Sequence, residues 1–248
     1  MGFLKRLFGK EQLEEPLDFA AVKTDMHSHL IPGIDDGAPD LDTSISLIKG
    51  LTKLGFQKII TTPHVMSDLY KNDSETILRG REQVIDELRK RNMNVGFEAA
   101  AEYYLDDHFE KLIEKKDILS FGDNYVLFEL SFLSEPASLM RAAFNLQMAG
   151  FKPVLAHPER YNFWHDSPEK LNELSEKGLL LQLNLNSLAG LYNPKVKKIA
   201  EYMIDQEIVD FIGSDCHNGH HLDASFHASR VPHLHKLVES KKVLNHTL

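Results

Sequence analysis

Short apolar runs typical of β-strands alternate with amphipathic helical segments along the chain from about residue 22 onward. In the helical segments apolar residues recur at spacings of three and four, as at Leu47, Ile48 and Leu51, which gives a helix one apolar face. The strand segments, such as residues 126–128, are almost continuous apolar runs, as expected for parallel strands covered by helices on both faces. This alternation restricts the fold to the α/β class.

Seven β/α units are predicted, and a single barrel is the architecture that suits them best. The predicted strands span residues 22–27, 58–62, 94–103, 125–130, 152–156, 179–185 and 209–213. The predicted helices span residues 44–54, 74–91, 110–115, 137–149, 168–177, 194–205 and 226–240. Such a barrel is slightly short of the eight-unit TIM form. A doubly wound open sheet is the alternative, because periodicity does not distinguish a closed sheet from an open one.

The composition is that of one large globular domain. A chain of 248 residues with 42% hydrophobic and 26% charged residues can bury one full core, and we expect residues 21–248 to form it. The net charge of −9 argues against a nucleic-acid partner, because phosphate binding needs clustered Lys and Arg. Cys216 is the only cysteine, which excludes an intrachain disulfide and favours a reducing, cytoplasmic location.

Residues 1–20 are predicted to be a flexible segment that is basic and amphipathic at its start. The alternative is a weak contact with a membrane surface, in which four apolar side chains lie on the membrane beside two basic residues. The side chains concerned are Phe3, Leu4, Lys5, Arg6, Leu7 and Phe8. No apolar run in the sequence approaches the roughly 20 residues of a membrane span.

Side chains that commonly bind metal ions occur at the ends of six of the seven predicted strands. In α/β barrels the carboxyl ends of the strands carry the chemistry. The candidates, in chain order, are His27, His29, Asp36, His64, Glu102, Glu129, His157, Asp215 and His217. His27 and His29 are two residues apart on an extended segment, so both side chains point to the same face. Only the sixth strand, near Asn184 and Asn186, lacks a strong ligand.

Clustered imidazoles and carboxylates predict a site for metal ions. A lone histidine such as His64 or His157 would be interpreted as part of the core, but agreement among six strand ends favours a shared site. Burying these charges together without cations would cost several kcal/mol per charge. Histidine and carboxylate ligands without thiolates suit Mn, Fe or Zn. The ligands outnumber what one ion needs, so we expect two or three divalent transition metal ions.

These motifs resemble the PHP (polymerase and histidinol phosphatase) superfamily. Within it, the chain resembles the bacterial PHP-type protein tyrosine phosphatases of capsule and exopolysaccharide operons. The most specific element is His27-Ser28-His29 followed by Asp35-Asp36-Gly37, and residues 101–104, 156–161 and 214–218 support it. The resemblance covers residues 24 to about 228. It implies a distorted (βα)7 TIM-like barrel and a metal-dependent phosphatase, a phosphoric monoester hydrolase.

The resemblance also implies how the ligands are shared among three ions. One ion would be held by His27, His29, Glu102 and Asp215. Glu102 would bridge to a second ion that also takes His157. The third ion would be held by Asp36, His64 and His217. Glu129 occupies a strand end where related proteins often have a further metal ligand. The alternative is that Glu129 does not bind metal itself but contacts a residue that does.

The charges of such a site indicate the chemistry. Water bridging two metal ions is acidified to a pKa near ~7 and would attack phosphorus in line, without a covalent phosphoenzyme. Arg160, three residues after His157, is predicted to bind the phosphoryl group through two hydrogen bonds. The alternative is a surface Arg160 paired with Glu159. Asp36 and His64 are assigned to catalysis as well as to metal binding.

The expected substrate is the phosphotyrosyl tail of a bacterial tyrosine kinase that controls polysaccharide export. A small-molecule phosphatase, such as one for histidinol phosphate, is the alternative enzyme. A non-catalytic metal-binding docking protein is the alternative from another class. Several relatives carry an arginine soon after the residues that correspond to His64 and His217. This chain lacks both arginines, which leaves the choice of substrate open. His220, His221 or Lys71 are candidates to replace them.

Cys216 raises the alternative of a cysteine-dependent tyrosine phosphatase. Such enzymes use a thiolate in a loop where Cys and Arg are separated by five residues. The corresponding position here is Leu222, so the loop is absent. Cys216 lies between the predicted ligands Asp215 and His217, and we expect it to be a small buried residue.

Overall fold

The computed structural model describes residues 13–248. Residues 3–8, on which the membrane-surface hypothesis depends, lie outside the described residues, as does most of the segment predicted to be flexible. Residues 13–20 pack against the rest of the chain: the backbone N–H of Leu13 donates to the Arg230 carbonyl (2.9 Å) and that of Leu17 to the Ser229 carbonyl (2.7 Å). No helix within residues 13–248 has the length and apolarity needed to cross a bilayer.

The strands of the described residues form two parallel sheets. They are β1 Thr24–Asp25, β2 Lys58–Thr61, β3 His64–Val65, β4 Gly96–Ala99, β5 Glu102–Tyr104, β6 Tyr125–Glu129, β7 Lys152–Ala156, β8 Leu180–Asn184 and β9 Phe211–Gly213. One sheet has the order β1-β2-β4 and the other β3-β5-β6-β7-β8-β9. Every pairing between these strands is parallel. The prediction of an α/β fold is confirmed.

The second predicted strand is followed by a further strand in the other sheet, and the third predicted strand is divided between the two sheets. The predicted strand 58–62 corresponds to β2 and is followed by β3 after a break at Thr62-Pro63, and the predicted strand 94–103 is divided at Ala100-Ala101 into β4 and β5. The backbone continues across both breaks through hydrogen bonds from Ala100 N–H to the Thr61 carbonyl (2.9 Å) and from Glu102 N–H to the Pro63 carbonyl (3.1 Å). Pro63 has no N–H to donate, which accounts for the break between β2 and β3.

The first and last strands of the chain are also joined. The segment after β1 pairs with the segment after β9 through a parallel bridge between Ser28 and Cys216. The Asp215 N–H donates to the His27 carbonyl (2.8 Å), and the His29 N–H donates to the Cys216 carbonyl (3.0 Å). These bonds bring the ends of the first and seventh predicted strands side by side.

Helices cover the sheets, and five of those within residues 13–248 begin after a residue whose side chain caps the first turn. The α-helices are α1 Leu41–Lys53, α2 Ser74–Lys90, α3 Asp107–Lys115, α4 Leu139–Met148, α5 Glu169–Glu176, α6 Leu185–Ala189, α7 Pro194–Asp205, α8 Gly219–Ala228 and α9 Pro232–Glu239. Asp40 caps α1 by accepting from the Thr43 N–H (2.7 Å), and Asp106 caps α3 by accepting from the Phe109 N–H (2.8 Å). Both helices therefore begin three residues earlier than predicted.

The end of the chain differs from the prediction. The single helix predicted over residues 226–240 is two helices, α8 and α9. Asn218 begins α8 by accepting the backbone N–H groups of His220 and His221. Pro232 is the first residue of α9 and cannot continue the preceding helix, because proline lacks the N–H that the helix requires. The short helix α6, which was not predicted, follows β8 directly and ends at Gly190, whose φ is +81°.

Candidate metal centre

The nine predicted ligands converge at the carboxyl ends of the strands, where seven of them line one pocket and the other two, His27 and His29, contact Glu102. Six of the nine ligands are buried, and they are His27, His29, Glu102, Glu129, His157 and Asp215. The other three lie toward the pocket mouth, where the Asp36 side chain is 54% exposed and the imidazoles of His64 and His217 are partly buried. The pocket has a volume of about 400 Å³. Residues far apart in the sequence are thus placed together as the strand ends predicted.

Glu102, the first residue of β5, lies at the centre of the cluster. Its Oε2 atom is 3.3 Å from His27 Nε2, 3.3 Å from His29 Nε2 and 3.2 Å from His64 Nδ1. Its Oε1 atom is 3.0 Å from His157 Nε2. Burial by itself would raise the pKa of Glu102, but the neighbouring histidines hold that pKa well below its usual range. One carboxylate therefore contacts four imidazoles.

Asp215 is the second buried carboxylate of the cluster. Its Oδ1 atom lies 3.4 Å from His27 Nε2, 3.5 Å from His29 Nε2 and 3.4 Å from His217 Nδ1. The backbone at Asp215 has a φ of +48°, and that at His157 has a φ of +37°. Non-glycine residues rarely adopt this left-handed region, which costs of order 1–3 kcal/mol each. The fold holds both side chains in place against this strain.

The outer part of the pocket contains a second set of ligand atoms. Asp36 Oδ1 is 3.6 Å from His64 Nε2 and 3.4 Å from His217 Nε2. The hydrogen bond with His217, together with the nearby imidazoles of His64 and His29, lowers the pKa of Asp36 to about 2, although partial burial opposes this shift. Burial opposes protonation of His64, yet Glu102 and the other adjacent carboxylates raise its pKa to about 10. The carboxylates and imidazoles of the pocket thus stabilise one another in their charged forms.

Four overlapping groups have ligand atoms within 4.8 Å of one another. They are His29–Asp36–His64–His217, His27–His29–Glu102, His27–His157–Asp215 and His64–Glu102–Glu129. The first group contains all three ligands that the resemblance implies for the third ion, and the second contains three of the four implied for the first ion. The others differ in detail, because His157 is grouped with Asp215 and Glu129 is grouped with Glu102 and His64. Glu129 Oε1 is 3.1 Å from His64 Nδ1, which is within the reach of a shared ion.

Several residues that hold the ligands in place were not predicted from the sequence. The His29 Nδ1–H donates to Asp35 Oδ2 (2.8 Å), and the His27 Nδ1–H donates to Gln182 Oε1 (2.9 Å). Asn184 Nδ2 donates to Asp215 Oδ2 (2.6 Å). Such partners fix the ring orientation, so that the Nε2 atoms of His27 and His29 face the cluster. The sixth strand, which lacks a ligand of its own, supplies two of the three partners.

Two signals in the sequence indicate these supporting residues. Gln182 is a polar residue in the middle of the apolar strand β8, and it is fully buried. Asp35 is adjacent to the predicted ligand Asp36 in the same loop. The sequence does not show which ring each of them contacts, because those contacts join segments that are 6 residues apart for Asp35 and 155 apart for Gln182.

Arg160 lies at the pocket wall. Its Nη1 atom donates to Asp215 Oδ2 (3.0 Å), and its guanidinium lies 5.0 Å from the centre of the Phe132 ring and 4.3 Å from that of Tyr192. The alternative of an exposed Arg160 paired with Glu159 does not fit these contacts, since Glu159 is fully buried and accepts from the Ser187 hydroxyl (2.6 Å). Arg160 is the only Lys or Arg among the described residues that line the pocket.

The proposed replacements for the missing arginines differ in position. His221 lines the pocket, and its Nδ1–H donates to the Asp215 carbonyl (2.7 Å). His220 and Lys71 are exposed and do not line it. Cys216 is buried, and this burial raises the pKa of its thiol. A buried, protonated thiol supports the prediction that Cys216 is not the nucleophile.

Known proteins resemble this chain along most of its length. The sequence model of the family described as "Capsular polysaccharide synthesis, CpsB/CapC" matches residues 23–243. The tyrosine-protein phosphatase YwqE of Bacillus subtilis is 31% identical over 195 residues, which cover 78% of this chain and 77% of that protein. The tyrosine-protein phosphatase CpsB of Streptococcus agalactiae is 31% identical over 200 residues, which cover 78% of this chain and 82% of that protein.

Solved structures of known proteins have a fold similar to that of this chain. A structure from a study of YwqE of Bacillus subtilis and CpsB of Streptococcus pneumoniae, described as metal-dependent tyrosine phosphatases, has a TM-score of 0.79 and 29% identity, and covers 90% of this chain and 89% of that chain. Histidinol phosphate phosphatase of Lactococcus lactis shares the fold, with a TM-score of 0.51, 14% identity and coverage of 89% and 93%. The chain therefore belongs to the CpsB/CapC family of capsular polysaccharide synthesis proteins.

Proposed function

We propose that this chain is a metal-dependent protein tyrosine phosphatase that hydrolyses phosphotyrosyl esters by direct attack of water. The observation that carries the proposal is the convergence of nine residues with nitrogen or oxygen ligands, Glu102 among them, at an open pocket that Arg160 also lines. The relatives named above are tyrosine phosphatases, which supports the same activity. Water attack fits the site, because the one cysteine beside it is buried.

The finer architecture that goes with this function is a distorted (βα)7 barrel over residues 21–248. Two observations support a closed sheet of seven parallel runs. The bridge between Ser28 and Cys216 joins the first run to the last. A compact apolar cluster draws members from six of the seven runs, as the inside of a barrel requires. Its members include Met26, Ile60, Ala100, Leu127, Val154 and Phe211.

The donor set fits divalent transition metal ions. The buried Glu102 Oε2 and His64 Nδ1 atoms have no hydrogen-bond partner, although each lies close to other ligand atoms. Nitrogen and oxygen donors without a thiolate suit Mn, Fe or Zn. Two or three ions would be held by the nine ligands assigned above. When bound, such ions generate a nucleophile from water at neutral pH and neutralise charge on the phosphoryl oxygens.

The side chains around the ions have separate roles in the proposed reaction. Arg160 donates one N–H to Asp215 and has further N–H groups for the phosphoryl oxygens, where it stabilises developing negative charge. Asp36 Oδ1 and His64 Nε2 lie 3.6 Å apart at the pocket mouth, where they would hold one of the ions and would also take part in catalysis. Asp35 and Gln182 hold His29 and His27 in the orientation that binding requires.

The proposed substrate is the phosphotyrosyl tail of a bacterial tyrosine kinase, and the proposed location is cytoplasmic. The family description, capsular polysaccharide synthesis, supports a kinase that controls polysaccharide export. The net charge of −9 continues to argue against nucleic acid as a partner. A membrane contact through residues 3–8 remains a hypothesis about the segment that precedes the described residues.

One experiment tests the activity and the metals together. The purified protein is stripped with a chelator, reloaded separately with Mn, Fe or Zn, analysed for metal content, and assayed with a phosphotyrosyl peptide and with histidinol phosphate. We expect two or three ions per chain and a clear preference for the peptide. Preference for histidinol phosphate would favour the small-molecule phosphatase instead. A reloaded protein that hydrolyses neither compound, nor a simple aryl phosphate, would contradict a phosphatase of any kind.

A further inference from the structure

Of the three tyrosine and phenylalanine rings within residues 13–248 that line the pocket, those of Tyr70 and Phe132 each stack on an imidazole of the ligand cluster, whereas Tyr192 lies against Arg160. Tyr70, in the loop after β3, stacks on His64 with the ring centres 5.4 Å apart and the planes 12° apart. Phe132, in the loop after β6, stacks on His157 with the centres 5.9 Å apart and the planes 20° apart. Both rings line the same pocket as the ligands. Each ring thus lies directly against an imidazole of the proposed metal centre.

The two rings stack on imidazoles that contact different oxygens of the same two carboxylates. His64 contacts Glu102 through Oε2 (3.2 Å) and Glu129 through Oε1 (3.1 Å). His157 contacts the other oxygen of each: Glu102 Oε1 at 3.0 Å and Glu129 Oε2 at 4.0 Å. Each ring is therefore one imidazole away from the same two carboxylates, and both rings line the pocket that contains Glu102 and Glu129.

Both rings are held in place although they reach solvent. Phe132 is 41% exposed, yet its ring centre lies 5.2 Å from that of Tyr161 and 5.0 Å from the Arg160 guanidinium. The Tyr70 carbonyl accepts the Met66 N–H (2.9 Å), which closes the loop that carries the ring. A large apolar side chain that is both exposed and fixed at a pocket is typical of a ligand-binding surface.

We propose that Tyr70 and Phe132 form an aromatic slot that receives the aryl ring of a phosphate monoester, so that the site discriminates aryl esters from alkyl esters. This inference depends on the proposed phosphatase function, and it names the two residues that select aryl over alkyl phosphate esters. With the phosphoryl group at the ligand cluster and Arg160, the ester oxygen directs the organic group outward between the two rings. A ring bonded directly to that oxygen is planar there and stacks, whereas an alkyl chain makes weaker contacts.

The test measures binding without turnover. Calorimetric titration of the metal-loaded full-length protein with phenylphosphonate, propylphosphonate and inorganic phosphate compares an aryl group, an alkyl group and no organic group. The variants are Phe132→Leu and Tyr70→Leu, which keep an apolar side chain while removing the ring. The matched control is Phe144→Leu, because Phe144 on α4 is 58% exposed and does not line the pocket.

We expect wild type and Phe144→Leu to bind phenylphosphonate more tightly than propylphosphonate. Each pocket variant should weaken phenylphosphonate binding by roughly three- to tenfold, the range of an aromatic pair, while its affinities for propylphosphonate and phosphate stay within about twofold. Equal wild-type affinities for the two phosphonates would overturn the slot. So would a pocket variant that behaves like Phe144→Leu, or one that weakens all three ligands alike. Failure of the phosphatase proposal is separate, since it appears as no hydrolysis of any phosphate ester.

Discussion

At the scale of single residues, the site depends on carboxylates that are buried among imidazoles. A carboxylate placed alone in such a position would be protonated or would destabilise the fold by several kcal/mol. Glu102 avoids this because four histidines surround it. The same arrangement makes each ligand dependent on its neighbours, so that removing one changes the affinity of the whole cluster for metal ions.

Replacing His27 by Ala removes a nitrogen that contacts both Glu102 and Asp215. We expect His27→Ala to lower kcat for a phosphotyrosyl peptide by at least about a hundredfold and to reduce the bound metal, since both carboxylates lose a shared partner. Steady-state kinetics and elemental analysis provide the measurement. His108→Ala is the control, because His108 is exposed on α3. Wild-type hydrolysis by His27→Ala would contradict the proposed site.

We expect Asp35 to affect metal binding through His29. Its carboxylate accepts from His29 Nδ1, so the imidazole presents Nε2 to the cluster. We expect Asp35→Ala to weaken metal binding by about 10- to 100-fold, and excess metal should restore most of the activity. Activity is measured against metal concentration, with Asp166→Ala as the control, since the Asp166 side chain is 93% exposed. If excess metal does not restore activity, Asp35 has a role other than orienting the ring.

At the scale of elements, the strand ends could be predicted but the strand breaks could not. The apolar run and the polar residue that follows it are both visible in the sequence, so His64, Glu102 and His157 could be identified. The division of the predicted strand 94–103 depends on which neighbour its backbone bonds, and that is a tertiary property. Gln182 shows the same limit: its position in a buried strand is visible, whereas its contact with His27 is not.

Strand β9 approaches the segment that carries His27 so closely that only glycine fits at position 213. A Cβ atom at Gly213 would lie 2.5 Å from the His27 Cβ and 3.0 Å from Gln182 Nε2. We expect Gly213→Ala to lower the free energy of unfolding by about 1–3 kcal/mol and to lower activity, because the first and last strands must separate. Urea unfolding measures the effect. Gly219→Ala is the control, since nothing lies within 4 Å of its new Cβ, and equal unfolding midpoints for the two variants would contradict the close approach.

At the scale of the whole molecule, the α/β class could be predicted from the alternation of apolar runs and amphipathic helices. The bridge between Ser28 and Cys216, which joins the first strand segment to the last and supports a closed barrel, could not. These two residues are far apart in the sequence, and each lies between predicted ligands. The proposed metal centre thus joins the first and last strands of the chain, and metal binding should stabilise the entire domain rather than one loop.

Metal ions should therefore raise the thermal stability of the protein. Ions that bind the folded chain and not the unfolded one add about 2.7 kcal/mol at a concentration 100 times Kd, for each independent site. We expect Mn or Zn to raise the Tm of chelator-treated protein by several degrees and chelator to reverse the rise. Calcium should have a much smaller effect, because it prefers an all-oxygen site and the pocket supplies five imidazoles. His27→Ala should lose most of the rise caused by Mn or Zn, as measured by scanning calorimetry. An equal rise in wild type and His27→Ala would place the stabilising ions outside this cluster.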